Sequence, residues 1–541
     1  MTTRRRAVRL AALASAMMLA GAAEAAIDQP VKTGAGLVSG TPGAVEGVTA
    51  FKGIPFGAPP VGALRWKPPQ PVQPWQGVRP GDSFQKACMQ PAGQGRINVT
   101  VDLPDSPGVS EDCLYLNVWT PAKAAGEKLP VMVWIFGGAY YEGGGNSPHN
   151  HGDSLAAKGV VLVNFNYRLG PLGFLAHPEL TAESEHKASG NYALMDSIAV
   201  LKWVRDNIEQ FGGDPDNVTI FGESAGAAIA AGLIGSPEAK GLFHRAVAES
   251  ASWMGLGIAP MRTRESAEKQ TVDAAAKLGL NSLAELRAMP SEEASEKLPR
   301  QGMIIDGWVV PEDLSVTFAE GRQNAVDVIV GTTRDEGSFT ELFGPPITVD
   351  AWTKSAPQRW GDLAEAGLAA YPVKTDAEAK AASSAAFSDA MAWSMRLFGE
   401  SQARLGKQAY LYYFTHEPPY APGAPDLRAT HTVEIPYVFD NLAAPRVYPD
   451  HSSPELAAAD PRERAFAGQV SAYWVNFAKT GDPNGPGLPQ WPSLKELAPT
   501  ETMVLDADGS GKGPWLTQPR IEFHEKVYQR DVAGPLSIAG Q

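Results

Sequence analysis

The sequence predicts an α/β protein whose central sheet is mostly parallel and carries helices on both faces. Three observations support this prediction. Short, continuous apolar runs alternate with helical patterns from Leu114 onward, as strands buried on both sides do. One of these runs, 217–221, leads through a Gly-x-Ser-x-Gly turn into a helix of small residues. Two helical stretches rich in Ala and Glu, about 262–300 and 340–406, fall outside the alternation, and we expect them to form a lid or side lobe.

Length and charge restrict the class of protein. The chain has 541 residues, of which 44% are hydrophobic, so it can bury the core of one enlarged α/β domain. The formal net charge is −14 at pH 7, which argues against a nucleic-acid partner because phosphate binding needs a basic surface. No stretch after residue 25 is long and apolar enough to span a bilayer.

The first 25 residues have the pattern of a signal peptide. Arginines at positions 4–6 and 9 precede an apolar run over 10–23, and Ala23-Glu24-Ala25 offers small residues for cleavage. We place the cut after Ala25, so that 26–541 is the mature domain and its location is secreted or periplasmic. Export favours a disulfide between the two cysteines of the chain, Cys88 and Cys113.

The elements follow in order along the chain. Residues 30–85 carry short alternating runs with many prolines and predict an antiparallel edge, and 89–110 is rich in Gly, Pro and Asp and predicts a surface loop. The runs that predict strands of the parallel sheet are 115–119, 130–136, 160–166, 217–221, 246–249, 325–331 and 409–414. Long helices are predicted at 194–211 and 462–480.

The turn between the strand 217–221 and the next helix carries Ser224. Its two flanking glycines are needed because the backbone of the serine is strained and a side chain on either side would collide with the strand or the helix. The hydroxyl also lies at a helix N-terminus, where free N–H groups favour a developing negative charge. A serine in this position is a candidate nucleophile, and it needs a base and an acid to activate it.

Candidates for the other groups follow from their positions. Four histidines come well after Ser224 in the chain, and pattern alone leaves two of them open as the base, because His416 ends a strand and His431 opens a loop. The acid is expected in Asp335-Glu336, which follows the strand 325–331. The turn Phe136-Gly137-Gly138-Ala139 ends another strand, and its small residues allow backbone N–H groups to approach a ligand.

These residues resemble those of a known family, the type-B carboxylesterases, which include the cholinesterases. The similarity covers about 30–530, and its motifs occur in the order of that family. The motifs lie at 51–56, 111–117, 166–168, 190–192, 212–215 and 221–227. The resemblance implies an α/β-hydrolase fold and hydrolysis of carboxylic esters.

The resemblance also implies a role for individual residues. It makes Glu336 the acid and His431 the base, and it places Glu223 and Glu434 near the site as supporting carboxylates. Cys88 and Cys113 match the first disulfide of the family. The oxyanion donors that it implies are the N–H groups of Gly138, Ala139 and Ala225.

The sequence departs from the family pattern at three positions. Phe136 stands where His or Tyr is usual, Ala139 replaces a glycine, and Thr432 replaces the glycine after the base. A methyl group at Ala139 is tolerable if this residue has negative φ, which is what we expect. We therefore expect an intact oxyanion hole with an altered lining.

The predicted protein is a secreted serine esterase that acts on a small-molecule carboxylic ester through an acyl-enzyme. It uses neither a cofactor nor a metal. One alternative is an esterase specialised for a bulky or polycarboxylate ester, such as the mycotoxin fumonisin. The other is a non-catalytic binding protein on the same fold, which would have lost a member of the triad.

Overall fold

A sheet of eleven strands forms the centre of the molecule. The computed structural model describes residues 27–91, 100–103, 105–342, 347–445 and 452–532, so the predicted signal peptide lies outside the described residues. In chain order the strands are β1 (Thr41–Pro42), β2 (Thr49–Pro55), β3 (Tyr115–Thr120), β4 (Leu129–Ile135), β5 (Val161–Phe165), β6 (Gly213–Glu223), β7 (Arg245–Glu249), β8 (Asp327–Thr333), β9 (Ala409–Phe414), β10 (Glu501–Leu505) and β11 (Gly511–Pro514).

The strand order across the sheet is β11-β10-β9-β8-β7-β6-β4-β5-β3-β2-β1. The pairings from β5 through β4, β6, β7, β8 and β9 to β10 are all parallel. Antiparallel strands complete both edges, with β3, β2 and β1 on one side and β11 on the other. The prediction of a mostly parallel sheet is confirmed, and so is the antiparallel edge expected within 30–85.

The prediction is wrong for the first strand that we placed in the parallel alternation. Strand β3 pairs antiparallel with β5 and with β2. A short connection without a helix leads from β3 to β4, so these two strands run in opposite directions, and β5, which is parallel to β4, is antiparallel to β3 as well. The apolar run of β3 therefore reflects burial on both faces and not parallel pairing.

Sixteen α-helices are assigned within the described residues. They are α1 (Asp153–Ala156), α2 (Gly170–Phe174), α3 (Pro178–Glu183), α4 (Tyr192–Asn207), α5 (Ala225–Gly235), α6 (Arg264–Lys277), α7 (Leu283–Ala288), α8 (Ser291–Lys297), α9 (Leu314–Ala319), α10 (Val349–Trp360), α11 (Ala364–Ala370), α12 (Asp376–Arg404), α13 (Ile435–Val438), α14 (Pro454–Ala459), α15 (Pro461–Thr480) and α16 (Gln518–Asp531). Helices α5 and α15 both pack on β4 and β6 and cover the two faces of the sheet. None of the described helices is long and apolar enough to cross a membrane.

The two stretches expected to form a lid or side lobe are largely helical. The first contains α6, α7 and α8, and the second contains α10, α11 and α12. Helix α12 packs on β8 and β9, whereas α10 and α11 build a second apolar cluster with α16 around Trp352, Trp360 and Phe523. A separate cluster of this kind gives α10 and α11 a core of their own beside the main one.

The strand register gathers polar residues at the carboxyl edge of the sheet. Glu223 at the end of β6 lies beside Glu249 at the end of β7, which lies beside Gly331 in β8. Loops that leave neighbouring parallel strands at this edge form the usual site of ligand binding in such sheets. The predicted disulfide between Cys88 and Cys113 is present.

Candidate active site

Ser224 lies on the turn that joins β6 to α5. Its backbone has φ 55° and ψ −124°, a conformation that only glycine adopts without strain. A Cβ at Gly222 would come within 2.5 Å of the Ile135 carbonyl oxygen, and one at Gly226 within 1.9 Å of the same atom. Both glycines are therefore required by close backbone contact with the end of β4, which explains the sequence motif.

The turn after β4 differs from our expectation. Ala139 has φ +54° and Tyr140 has φ +64°, so the prediction of negative φ at Ala139 is wrong. The N–H of Tyr141 donates to the Gly138 carbonyl at 2.8 Å, and this bond with two left-handed central residues defines a type I′ turn. Non-glycine residues in this turn are strained, and such strain is typical of functional sites.

This turn lies directly against the nucleophile candidate. A Cβ at Gly137 would be 3.1 Å from Ser224 Cβ and 2.8 Å from Glu223 Oε2. The backbone N–H groups of Gly138, Ala139 and Ala225 donate to no other described residue. Unused donors beside a serine are what an oxyanion hole requires.

His431 lies between two carboxylates. Its Nδ1 donates to Glu336 Oε2 at 2.5 Å, and Glu336 Oε1 accepts the N–H of Thr333 at 2.8 Å. On the other side of the ring, His431 Nε2 lies 3.2 Å from Glu223 Oε1. Since Glu223 immediately precedes Ser224, the second nitrogen of the imidazole faces the turn that carries the hydroxyl.

Ser224 Oγ has no hydrogen bond to any other residue that the structure describes, and the contact of His431 Nε2 is with Glu223. The residue after His431, Thr432, has φ +75°, which is a strained value for a β-branched side chain. A glycine would adopt this conformation without cost. The departure from the family pattern at Thr432 therefore places strain next to the candidate base.

Four buried glutamates lie at this edge of the sheet, and three of them act on the imidazole. Sequence reasoning selected Glu223, Glu336 and Glu434 but missed Glu249, which accepts a hydrogen bond from Trp474 Nε1 at 2.8 Å. A signal for Glu249 was available, because the two adjacent strands β6 and β7 both end in Glu. Glu434 accepts a hydrogen bond from Ser250 Oγ at 3.2 Å.

The buried acids and His431 shift one another's pKa values. Burial raises the pKa of Glu249 and of Glu223 well above the usual range, and it raises the pKa of Glu434 to about 7. Burial lowers the pKa of His431, but three carboxylates outweigh this effect and raise it to about 10. They belong to Glu223, Glu336 and Glu434. The three carboxylates therefore favour the protonated form of the imidazole, the imidazolium.

The other histidines lie elsewhere. His416 contacts Glu463 Oε2 through Nε2 at 2.9 Å, and its ring packs on Tyr437 and Phe466. His524 contacts the Tyr371 hydroxyl at 2.8 Å, and His451 lies outside the described residues. Among the described histidines that follow Ser224, His431 is the one beside this serine.

A parallel sheet with a strained serine between β6 and α5 and a glycine turn after β4 defines the α/β-hydrolase fold. The chain belongs to the carboxylesterase family, whose model matches residues 28–523.

Known relatives agree with this assignment. The chain is 38% identical to a fumonisin B1 esterase of Sphingopyxis macrogoltabida, over 87% of this chain and 86% of the relative. It is 34% identical to a para-nitrobenzyl esterase of Bacillus subtilis, over 89% of this chain and 95% of the relative. A solved carboxylesterase of Geobacillus stearothermophilus has 33% identity and a TM-score of 0.75, over 92% of this chain and 99% of that one. The protein is thus a carboxylic ester hydrolase.

Proposed function

We propose that Ser224, His431 and Glu336 form a catalytic triad that hydrolyses carboxylic esters through an acyl-enzyme. The observation that carries the proposal is the placement of His431, which bonds to Glu336 through Nδ1 while Nε2 faces the turn of Ser224. One nitrogen is held by an acid and the other faces the turn that carries the nucleophile, which is the order of groups that base catalysis by a triad uses.

In the first half of the reaction His431 takes the hydroxyl proton as Ser224 Oγ attacks the ester carbonyl. The negative charge that develops on the carbonyl oxygen is stabilised by the N–H groups of Gly138, Ala139 and Ala225. The imidazolium, held by Glu336, then gives its proton to the leaving alcohol. In the second half water adds to the acyl-enzyme by the same steps and releases the acid.

Labelling and turnover together test the triad. The wild-type protein is treated with a fluorophosphonate probe and assayed with a chromogenic short-chain ester, beside Ser224→Ala. We expect Ser224→Ala to lose the label and to lose turnover by at least about 10⁴-fold. The control is Ser471→Ala, a buried serine of α15 whose hydroxyl bonds to the Gly468 carbonyl. Wild-type turnover in Ser224→Ala would reject the proposal, and an unlabelled, inactive wild type would favour a binding protein.

Within the class of carboxylic esters, a bulky polycarboxylate ester is a more specific candidate for the substrate. Its support comes from the relative named as a fumonisin B1 esterase. The described chain offers a cation for such a substrate. The Arg300 guanidinium is exposed and stacks 3.3 Å from the centre of the Tyr141 ring. Tyr141 comes two residues after Ala139 in the oxyanion turn. No described carboxylate forms an ion pair with Arg300. An unpaired arginine beside the oxyanion turn suits a carboxylate of the substrate.

An ester panel of graded charge tests this substrate class. With Arg300→Gln, we expect kcat/KM for a tricarboxylate ester to fall about tenfold and that for a neutral ester of equal size to stay within about twofold. Arg359→Gln is the matched control, because this exposed arginine stacks on Trp352 at 3.8 Å in α10. Equal losses on neutral and anionic esters would contradict the assignment.

We also propose that residues 1–25 direct export and are removed, so that the mature enzyme is secreted or periplasmic. The disulfide between Cys88 and Cys113 supports this location, because such bonds persist in oxidising compartments. The N-terminal sequence and the cell fraction of the expressed protein test it. An uncleaved, cytoplasmic product would contradict it.

A further inference from the structure

One segment of the chain contacts both the strained turn beside Ser224 and the residues on either side of it. Residues 166–170 follow β5 and contact the turn at three points along its length. Tyr167 reaches Phe136 before the turn, Gly170 reaches Tyr140 within it, and Asn166 reaches Gly145 beyond it. The turn and this segment therefore form one connected unit.

The contact before the turn combines a hydrogen bond with ring stacking. The Tyr167 hydroxyl donates to the Phe136 carbonyl at 2.7 Å, and the two rings stack at 4.2 Å between centroids with an angle of 14°. Both side chains are buried. A Cβ at Gly226 would come within 2.8 Å of the same carbonyl oxygen, so this oxygen lies between the tyrosine and the first turn of α5.

The other two contacts use backbone groups within the turn and beyond it. The Gly170 N–H donates to the Tyr140 carbonyl at 2.7 Å, and the Gly145 N–H donates to Asn166 Oδ1 at 2.8 Å. Ala139 and Tyr140 have positive φ and would relax without such restraint, because strained residues persist only when their surroundings hold them.

The segment itself is firmly anchored. Arg168 forms a buried ion pair with Asp196 of α4, with Nη2 2.7 Å from Oδ1 and Nε 2.9 Å from Oδ2. Its Nη1 also donates to the Lys67 carbonyl at 2.8 Å. A bidentate pair of this kind fixes orientation as well as position. Tyr167 is therefore the chain neighbour of a residue whose position is fixed by α4.

We propose that Tyr167 is a positioning residue for the oxyanion hole, acting through its hydroxyl on the Phe136 carbonyl. The proposal rests on the triad function above. The hydroxyl fixes the peptide that leads into Gly137 and so sets the direction of the Gly138 and Ala139 N–H groups. These donors act on the charge of the transition state, so their misalignment lowers kcat and leaves substrate binding nearly unchanged.

The test is Tyr167→Phe, which removes the hydroxyl and keeps the ring stack. We expect kcat to fall about tenfold with KM within about twofold, and the affinity for a trifluoromethyl ketone, which forms an oxyanion on Ser224, to fall by a similar factor. Tyr473→Phe is the matched control, because this buried tyrosine of α15 also donates to a carbonyl, that of Pro489, at 2.7 Å. We expect both variants to lower Tm by a similar amount and only Tyr167→Phe to lower kcat.

The outcomes separate this proposal from the triad. A kcat of Tyr167→Phe that matches that of Tyr473→Phe overturns the proposal, and so does a lower kcat with unchanged ketone affinity, since a purely structural role predicts it. If Tyr167→Phe does not fold, Tyr167→His, which keeps a ring and a donor, must retain more ketone affinity than Tyr167→Leu. Failure of the fluorophosphonate to label the wild type would instead reject the triad.

Discussion

Among the described residues, His431 and His416 are both buried and each bonds to a glutamate, but they differ in what lies on the second nitrogen of the imidazole. His431 bonds to Glu336 at 2.5 Å, and its other nitrogen faces Glu223 and the turn of Ser224. His416 bonds to Glu463 at 2.9 Å, and its ring is enclosed by Tyr437 and Phe466, with Asp506 Oδ1 4.0 Å from the other nitrogen. Both histidines are nearly inaccessible to solvent.

Because both histidines bond to a buried glutamate, the acid partner alone does not identify the catalytic base. Glu463 accepts hydrogen bonds from both His416 and the Tyr437 hydroxyl, so this pair joins the end of β9 to α13 and α15. The pair of His431 instead joins the loop after β8 to a strained segment beside an unbonded serine hydroxyl. The candidate catalytic pair differs from the structural one because the turn that carries the nucleophile lies on the side of the imidazole opposite the acid.

Replacing each histidine with alanine is the most direct test of the difference between the two pairs. We expect His431→Ala to lower kcat by at least about 10⁴-fold while the protein stays folded. We expect His416→Ala to lower the free energy of unfolding by about 3 kcal/mol, because the buried carboxylate of Glu463 loses one hydrogen-bond partner and a cavity is left, and to keep kcat within about threefold. Ester turnover and denaturant unfolding measure the two effects. A larger loss of kcat in His416→Ala would reverse the assignment.

The acids give the next largest effect. Glu336→Gln keeps the shape but loses the charge that stabilises the imidazolium, so we expect kcat to fall about 10³-fold to 10⁴-fold. Glu463→Gln makes the same change in the structural pair and should leave kcat within about twofold. Steady-state kinetics on a short-chain ester checks both variants. Similar kcat values for the two variants would show that the partner of His431 is not the catalytic acid.

The pH profile sharpens the description of the catalytic pair. The carboxylate of Glu223 raises the pKa of His431, so its removal must lower that pKa and make the neutral base available at lower pH. We expect Glu223→Gln to move the rising limb of kcat/KM against pH downward by about one unit. Glu463→Gln should leave the limb in place. A limb that stays or moves upward in Glu223→Gln would show that Glu223 does not influence the base.

Strain gives the smallest predicted effect. Thr432→Gly replaces a β-branched residue at φ +75°, and we expect the free energy of unfolding to rise by about 1 kcal/mol. Thr430→Gly, two residues earlier in the same loop and at negative φ, should lower it by a similar amount. Denaturant titration measures both values. Destabilisation of both variants to the same extent would mean that Thr432 is not strained.

The sequence predicted the fold well where apolar runs were long. It identified the parallel strands because residues buried on both faces leave a continuous hydrophobic signal. For β9 the predicted run, 409–414, has the same bounds as the observed strand. It misjudged β3, since a strand in an antiparallel part of the sheet has the same signal when helices and loops cover both faces. The direction of a strand relative to its neighbours depends on the segments that connect them, and the apolar run of one strand carries no information about those segments.

The candidate site was predicted less evenly. Ser224 followed from local steric requirements that the glycines reveal. The choice between His416 and His431 depended on contacts with residues 47 and 95 positions away in the chain, and for this choice we used the family resemblance. The backbone of Ala139 was misjudged because a type I′ turn usually signals itself by Gly or Asn. Tyr167 and Glu249 were missed because their roles come from packing against other strands.

The near contact between Gly226 and the Ile135 carbonyl has a consequence for heat inactivation. Because α5 and β4 meet backbone to backbone there, the nucleophile and the amides that serve it cannot drift apart by side-chain motion alone. Warming should therefore leave the specific activity of the remaining native molecules intact until the sheet melts, so that the temperature of half-inactivation coincides with the calorimetric transition.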